Sequence, residues 1–117
     1  KSTNFAYAVF HMPNGKFPIQ VAKSLGFLSA QINDSLTVNY LGNSYTASAL
    51  MGLMPVLEKA KTGDLIFLCS YGSGAGSDSF VLRVTKNLQK RRKDFTKIIN
   101  DKKYIDYPTY LKFMEMI

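Results

Sequence analysis

Alternating apolar and polar stretches along the chain predict the element order β-α-β-α-β-β. Strand-like runs rich in β-branched, aliphatic and aromatic residues fall at residues 5–10, 36–41, 64–71 and 80–85. Apolar residues at helical spacing follow the first run from residue 16 to 26 and the second run from residue 46 to 61. The alternation predicts an α/β fold with a mixed, mainly parallel sheet, helices packed on it and right-handed crossovers.

The second predicted helix, residues 46–61, has almost no polar face. Its first turns carry the small residues Ala47, Ser48, Ala49 and Gly52. Such residues let another backbone come close, so we expect this helix to be central and buried. Pro55 removes one hydrogen bond in mid-helix and is expected to bend it.

Three predicted connections carry polar or glycine-rich residues at the ends of strands. The first strand delivers His11, the single histidine of the chain, to a turn that ends in Lys16, where a helix is predicted to begin. Asn43 follows the second run, and the glycine-rich residues 72–76 follow the third. In open α/β sheets, ligands bind outside the carboxyl ends of the strands. We therefore expect His11, Asn43 and residues 72–76 to lie side by side at one edge of the sheet.

Composition places all 117 residues in one domain with enough apolar content, 46%, for a core. No run of 18 apolar residues and no signal-peptide pattern is present, which predicts a soluble, cytoplasmic protein with no membrane partner. The single cysteine, Cys69, continues an apolar strand and is interpreted as a buried structural thiol. No motif with metal-ligand spacing is seen, so no metal site is predicted.

Most of the net charge of +7 lies in residues 86–103, which hold eight basic and two acidic side chains. We predict a polar helix here with Phe95, Ile98 and Ile99 as its apolar stripe, then an extended piece and a terminal aromatic-rich helix from Pro108. A charge run of this kind is usually a solvated surface. Binding of phosphate-containing ligands is the alternative, and nucleic-acid binding is not expected because no recognition motif accompanies the charge.

Three segments resemble the carboxyl-terminal half of the 3-hydroxy-3-methylglutaryl-CoA (HMG-CoA) synthase family, archaeal type. They are FHMPNGK at 10–16, GNSY at 42–45 and SYGSGAGSD at 70–78, and YIDY at 104–107 is similar to the tail of that family. The resemblance covers residues 5–85 and implies a thiolase-like half-domain spanning residues 1–117. In that fold two halves of this topology pack through shared central helices.

The resemblance also implies an activity and site residues. The family condenses acetyl-CoA with acetoacetyl-CoA, which are substrates, and no cofactor is expected. His11 and Asn43 match the family's catalytic histidine and asparagine, which donate hydrogen bonds to the ketone and acyl oxygens. Lys16, Tyr45, Gly72 and Ser73 match positions implied to bind the CoA thioester. The alternatives are a helix cap for Asn43, core packing for Tyr45 and a plain turn for Ser73.

The family's nucleophilic cysteine and its glutamate belong to an amino-terminal half that this chain does not contain. We therefore expect the chain to be part of a longer protein and inactive by itself as an acyltransferase. The resemblance implies a homodimer or higher oligomer, and it raises the question of a thiolase and an acyl-CoA-handling bridging protein as partners. A β-ketoacyl-carrier-protein synthase III-like enzyme and a non-catalytic binding half-domain are the alternatives.

Overall fold

A three-stranded sheet forms the centre of the computed structural model, which describes residues 1–72 and 74–116. The strands are β1 (Tyr7–Phe10), β2 (Leu65–Gly72) and β3 (Gly76–Arg83). The helices are α1 (Lys16–Ser24), α2 (Ser29–Ile32), α3 (Val38–Leu41), α4 (Ser48–Lys59), α5 (Asn87–Arg91), α6 (Phe95–Asn100) and α7 (Tyr107–Phe113). Short 3₁₀ turns occupy Ser2–Asn4, Asn33–Ser35 and Tyr45–Ala47.

The strands pair in the order β1-β2-β3, so the sheet is mixed, as predicted. β1 runs parallel to β2, with Tyr7 opposite Ile66 and Phe10 opposite Cys69. β2 and β3 form an antiparallel hairpin. One parallel and one antiparallel pair do not make a mainly parallel sheet, and that detail of the prediction is wrong for the described residues.

Both faces of β1 are buried. Successive side chains of a strand point to opposite sides of the sheet, and each side of β1 is covered by a different apolar cluster. On one side, Val9 joins a core formed with α4 and β2; this cluster comprises Val9, Ala49, Val56, Ala60, Ile66, Leu68 and Val84. On the other side, Ala8 and Phe10 pack with residues of α1 and α2; this cluster comprises Ala8, Phe10, Ala22, Phe27 and Ile32. The strand end that carries His11 is therefore held from both sides.

Helix α4 lies against β1 at very short range, as its small residues predicted. A Cβ atom built on Gly52 would lie 2.5 Å from Met12 Cε, 2.7 Å from the carbonyl oxygen of Ser35 and 3.2 Å from Val9 Cγ1. Only glycine fits this crossing without a backbone shift. Pro55 lies inside the helix and is buried.

The predicted strand at residues 36–41 is wrong: the segment forms helix α3. The described sheet has the strand order β1-β2-β3, and the segment 36–41 pairs with none of these strands. Its backbone is satisfied locally instead, since the Leu41 and Gly42 amides donate to the carbonyls of Thr37 and Val38. Gly42, at φ +76°, ends the turn.

The predicted basic helix is two short helices, α5 and α6, because the chain turns away at Arg92. The Arg92 guanidinium donates to the carbonyl of Ala60, and the Asp94 carboxylate accepts from the Lys97 amide at the start of α6. Phe95 is buried as the predicted apolar stripe requires, whereas Ile98, which that stripe included, is 62% exposed. All eight basic side chains of residues 86–103 are exposed, as expected for a solvated surface.

Within residues 1–72 and 74–116, every helix is too short or too polar to cross a lipid bilayer.

Candidate functional site

A cavity of about 260 Å³ opens at the carboxyl ends of β1 and β2. Its lining comes from three separate stretches of the chain and comprises His11, Pro13, Phe17, Asn43, Tyr45, Thr46, Tyr71 and Gly72. The structure thus brings together His11, Asn43 and the residues that precede the glycine-rich loop. Asn43 reaches this edge from the end of α3 rather than from a strand.

His11 is placed by the last rung of the parallel ladder, where its amide donates to the carbonyl of Cys69 at 2.9 Å. Its ring Nδ1 lies 2.9 Å from the Ser48 hydroxyl at the start of α4. The Tyr71 ring from β2 lies 5.9 Å away, at 59° to the imidazole plane. The imidazole is therefore held at one nitrogen while its ring lines the cavity.

Asn43 is held by an Asx turn, in which its side-chain Oδ1 accepts the backbone N–H of Tyr45 at 2.8 Å. This bond resembles the capping alternative, but it ties Asn43 to a 3₁₀ turn and not to α4 itself. Because an N–H donor must face the oxygen of the amide, the bond fixes which way the side chain points. Within residues 1–72 and 74–116, Asn43 Nδ2 has no hydrogen-bond acceptor, so its hydrogens point to the donor role.

Tyr45 adopts a positive φ of +52° and leaves its side chain 75% exposed. Core packing, the alternative interpretation of this residue, is therefore wrong. Left-handed backbone is unfavourable for a tyrosine, and such residues concentrate at functional sites. The Asx turn around Asn43 supplies part of what holds Tyr45 in this conformation.

Lys16 does not line the cavity that contains His11. It lies in an adjoining open groove of about 680 Å³ at the start of α1; the lining comprises Asn14, Gly15, Lys16, Phe17, Ile19, Gln20 and Asn39. Asn14 Oδ1 accepts the amides of Lys16 and Phe17, each at 2.9 Å, which confirms the predicted turn and helix start. The Phe17 side chain lines both spaces. Gly72 lines the His11 cavity, and Ser73 lies outside the described residues.

Sequence reasoning missed three contributors to this site: Ser48, Tyr71 and Phe17. The sequence pattern indicates Ser48 only as one small residue of a close-packed helix, yet its hydroxyl contacts the His11 ring. Tyr71 lies at the end of the third apolar run. Because side chains alternate between the two faces of β2, its ring lies near His11. No local pattern indicates the Ser48 contact, because the two residues are 37 positions apart.

Cys69 is only partly buried, in contrast to the fully buried thiol that its apolar run predicted. It lines a small cavity of about 140 Å³ that His11, Phe17 and Tyr71 also line. Phe67 and Cys69 project to the side of the sheet that α1 and α2 cover incompletely. The opposite face of β2, with Ile66 and Leu68, is buried as predicted.

The described walls of both cavities around His11 carry no Asp, Glu, Lys or Arg side chain. Their polar groups are amides, hydroxyls, the imidazole and the thiol. Residues 1–72 and 74–116 also contain no cluster of three or more His, Cys, Asp or Glu side chains able to hold a metal ion. The site is therefore a set of neutral hydrogen-bonding groups against aromatic and apolar walls.

Comparison with known families matches residues 1–84 to the carboxyl-terminal domain of 3-oxoacyl-[acyl-carrier-protein] synthase III. This stretch includes β1 to β3 and every described residue of the His11 cavity.

Curated relatives match essentially the whole chain at high identity. A hydroxymethylglutaryl-CoA synthase from Methanosarcina barkeri is 48% identical over 96% of this chain and 33% of its own length. One from Pyrobaculum arsenaticum is 46% identical over 100% of this chain and 35% of its own length. The chain spans about a third of the curated relatives that it matches.

A solved structure of similar fold is MvaS in complex with 3-hydroxy-3-methylglutaryl coenzyme A. It superposes with a TM-score of 0.79 over 99% of this chain and 35% of its own, at 22% identity. That likeness shows the fold and confirms the predicted thiolase-like α/β class. The family match and the curated relatives confirm the predicted resemblance.

Proposed function

The chain belongs to the family of the 3-oxoacyl-[acyl-carrier-protein] synthase III carboxyl-terminal domain, and from this premise we propose that it is the carboxyl-terminal part of an HMG-CoA synthase. The complete enzyme would be an acyltransferase that condenses acetyl-CoA with acetoacetyl-CoA. The observation that carries the proposal is the convergence of His11 and Asn43 on one cavity, in a chain 46–48% identical to such synthases.

In this proposal His11 acts on the ketone of acetoacetyl-CoA. A carbon nucleophile derived from the acetyl group attacks the ketone carbon, a carbon–carbon bond forms, and the C=O π electrons move to the oxygen. The Nε2 edge of His11 would donate a hydrogen bond to that oxygen as its negative charge builds. A positioned donor of this kind typically lowers the barrier by about 3 kcal/mol.

Asn43 would donate from Nδ2 to the acyl or thioester oxygen. Its Oδ1 is already occupied by the Tyr45 amide, so only the donor end of the side chain is free. A fixed donor costs no reorganisation when charge develops, which is the basis of oxyanion stabilisation.

The CoA portion would extend from the His11 cavity toward the adjoining groove. Tyr45 and Gly72 would lie near the thioester, and Gly72 would allow close approach of the backbone. A contact from Ser73 stays a prediction from the sequence. Lys16 is exposed in the groove and would bind outer, phosphate-bearing parts of CoA instead of the acyl end.

The remaining chemistry would come from the amino-terminal half of the same protein. That half would supply the acylated cysteine and the glutamate, so these 117 residues alone would have no condensation activity. A dimer or higher oligomer, a thiolase and a bridging protein remain predictions, as does a place in isoprenoid (mevalonate) biosynthesis.

The test is a condensation assay on the product of the complete coding region, with HMG-CoA detected by mass spectrometry. We expect product from the complete protein, none from the 117 residues alone, and a rate lower by about 10²- to 10³-fold in His11→Ala. The matched control is Phe80→Ala, an exposed residue of β3 that does not line the cavity. Absence of product from the complete protein would contradict the proposal.

The second candidate is a β-ketoacyl-carrier-protein synthase III-like condensing enzyme, which the family match favours. The same assay distinguishes it when malonyl- and acyl-carrier-protein replace acetoacetyl-CoA as acceptor substrates. Turnover only with carrier-protein substrates would support this candidate over the first.

A further inference from the structure

The Ser48 hydroxyl lies between the end of β1 and the start of α4, and it is 2% exposed. It accepts the backbone N–H of Met12 at 3.1 Å and lies 2.9 Å from His11 Nδ1. Both contacts span more than 35 positions of sequence. They join the first residue of the long helix to the two residues that follow β1.

Hydrogen-bond counting decides the direction of the contact between Ser48 and His11. A serine hydroxyl has one hydrogen to donate and two lone pairs to accept with. The Met12 amide uses one lone pair, and His11 Nδ1 is the remaining partner of the hydroxyl among the described residues. If Nδ1 carried a hydrogen, the buried Ser48 O–H would have no acceptor, which is unfavourable.

The hydroxyl therefore donates to Nδ1, and the neutral imidazole carries its hydrogen on Nε2. The titratable residues lining the two cavities beside His11 are Tyr45, Tyr71 and Cys69, and no carboxylate or ammonium group is among the described walls. A hydroxyl partner, unlike a carboxylate, does not stabilise an imidazolium through charge.

We propose that Ser48 is a positioning residue that holds His11 as its neutral Nε2–H tautomer, so that the ring presents a hydrogen-bond donor to the cavity. The proposal rests on the proposed function for its catalytic meaning. Asn43 is arranged by the same logic, since a backbone amide occupies its acceptor and leaves a donor free. Both groups would then present N–H hydrogens to oxygen atoms of a bound thioester.

The first experiment measures the tautomer and needs no turnover. The complete protein is labelled with ¹⁵N-histidine, and the His11 signals are assigned by their absence in His11→Gln. We expect an unprotonated Nδ1 and a protonated Nε2 in the wild type, and a mixture of both tautomers in Ser48→Ala. A protonated Nδ1 in the wild type, or the same tautomer ratio in Ser48→Ala, would overturn the proposal.

The second experiment measures kinetics with a matched control. Ser48→Ala is expected to lower kcat by about 10- to 100-fold with little change in KM, because Ser48 acts through His11 and not on substrate. Ser35→Ala is the control, since Ser35 is also 2% exposed and hydrogen-bonded but its hydroxyl donates to the Ile32 carbonyl, away from the cavity. Equal losses in both variants would overturn the proposal.

Ser48→Thr keeps a hydroxyl and is expected to restore both the tautomer and most of kcat relative to Ser48→Ala. If Ser48→Ala does not fold, the wild-type spectrum and Ser48→Thr still decide the matter. A protein with the expected tautomer but no HMG-CoA product would refute the proposed function and support the Ser48 assignment. The two failures are therefore distinguishable.

Discussion

The His11 edge (His11, Asn43, Tyr45, Ser48 and Tyr71) and the carboxyl-terminal segment (residues 86–116) are held in place by different kinds of contact. At the His11 edge, buried hydrogen bonds join residues far apart in sequence, such as Met12 to Ser48 and His11 to Cys69. In the carboxyl-terminal segment, local caps dominate.

The caps of the carboxyl-terminal segment lie three residues from the groups they satisfy. Asp94 accepts from the Lys97 amide, and Asp106 accepts from the Thr109 amide. The hydrogen bonds from Thr109, from its side chain first and its backbone second, hold the pKa of Asp106 below its usual value. Most side chains here are exposed, including Tyr104, Tyr107 and Phe113.

The segment is tied to the rest of the chain at the end of α4. The Thr96 amide and hydroxyl donate to Glu58 at 3.1 and 2.9 Å, Arg92 donates to the Ala60 carbonyl, and Phe95 is buried. The positions of the side chains at the His11 edge therefore depend on how β1 and α4 pack together. The position of the carboxyl-terminal segment depends on a few contacts at the end of α4. Variants of the two regions should therefore fail in different ways.

The largest expected effect on stability is local and follows from Phe95→Ala. Removing the buried ring typically costs about 3 kcal/mol, and here it should detach α6 without unfolding β1 or α4. Amide hydrogen exchange on the complete protein should show faster exchange in residues 95–100 and unchanged protection in residues 7–10. Ile98→Ala, at a residue 62% exposed, is the control and should change little. Faster exchange in β1 would mean that the regions are not separate.

The next largest effect, about 2 kcal/mol of unfolding free energy, is expected for Gly52→Ala. The new methyl group would collide with the Ser35 carbonyl and Met12, and the resulting shift would move His11, which adjoins Met12. Thermal unfolding and condensation rate should both decline. Gly76→Ala is the matched control, because a Cβ there meets no atom of the described residues within 4 Å. Normal activity in a destabilised Gly52→Ala protein would contradict this prediction, because it would show that the position of His11 does not depend on the packing of α4.

The smallest effect, about 0.5 kcal/mol, is expected for the ion pair between Lys59 of α4 and Asp34, which is partly exposed. The hydrogen bond from Lys59 to Asp34 raises the pKa of Lys59 above its ordinary value. A raised pKa means that the stabilisation is complete below the ordinary lysine pKa and is lost as pH rises through the folded value.

Urea unfolding of Asp34→Asn and wild type at neutral and strongly alkaline pH checks this sign. The difference between the two proteins should shrink at alkaline pH, and Asp78→Asn on the exposed hairpin should show no such dependence. A difference that grows with pH would contradict the assignment of the stabilisation to the Lys59 ammonium.

Much of the candidate site was predictable because its signals are local. The apolar run before His11, the Asn14-Gly15 turn and the start of α1 follow from residues a few positions apart, and the structure confirms them. The hairpin of β2 and β3 also follows from adjacent apolar runs, although β3 begins at Gly76, earlier than predicted. The small residues of α4 correctly indicated a close helix crossing, because lack of side-chain volume is a property of the residues themselves.

Local sequence patterns therefore specified β1, α1, α4 and the β2–β3 hairpin, together with the polar groups at their ends. The tertiary structure decided the rest. Residues 36–41 have strand-forming composition, but their backbone hydrogen bonds are local and Val38–Leu41 forms α3. The basic run breaks at Arg92, where that side chain reaches Ala60. Ser48 meets His11 only because α4 packs on β1, and a contact across 37 residues leaves no local pattern to detect.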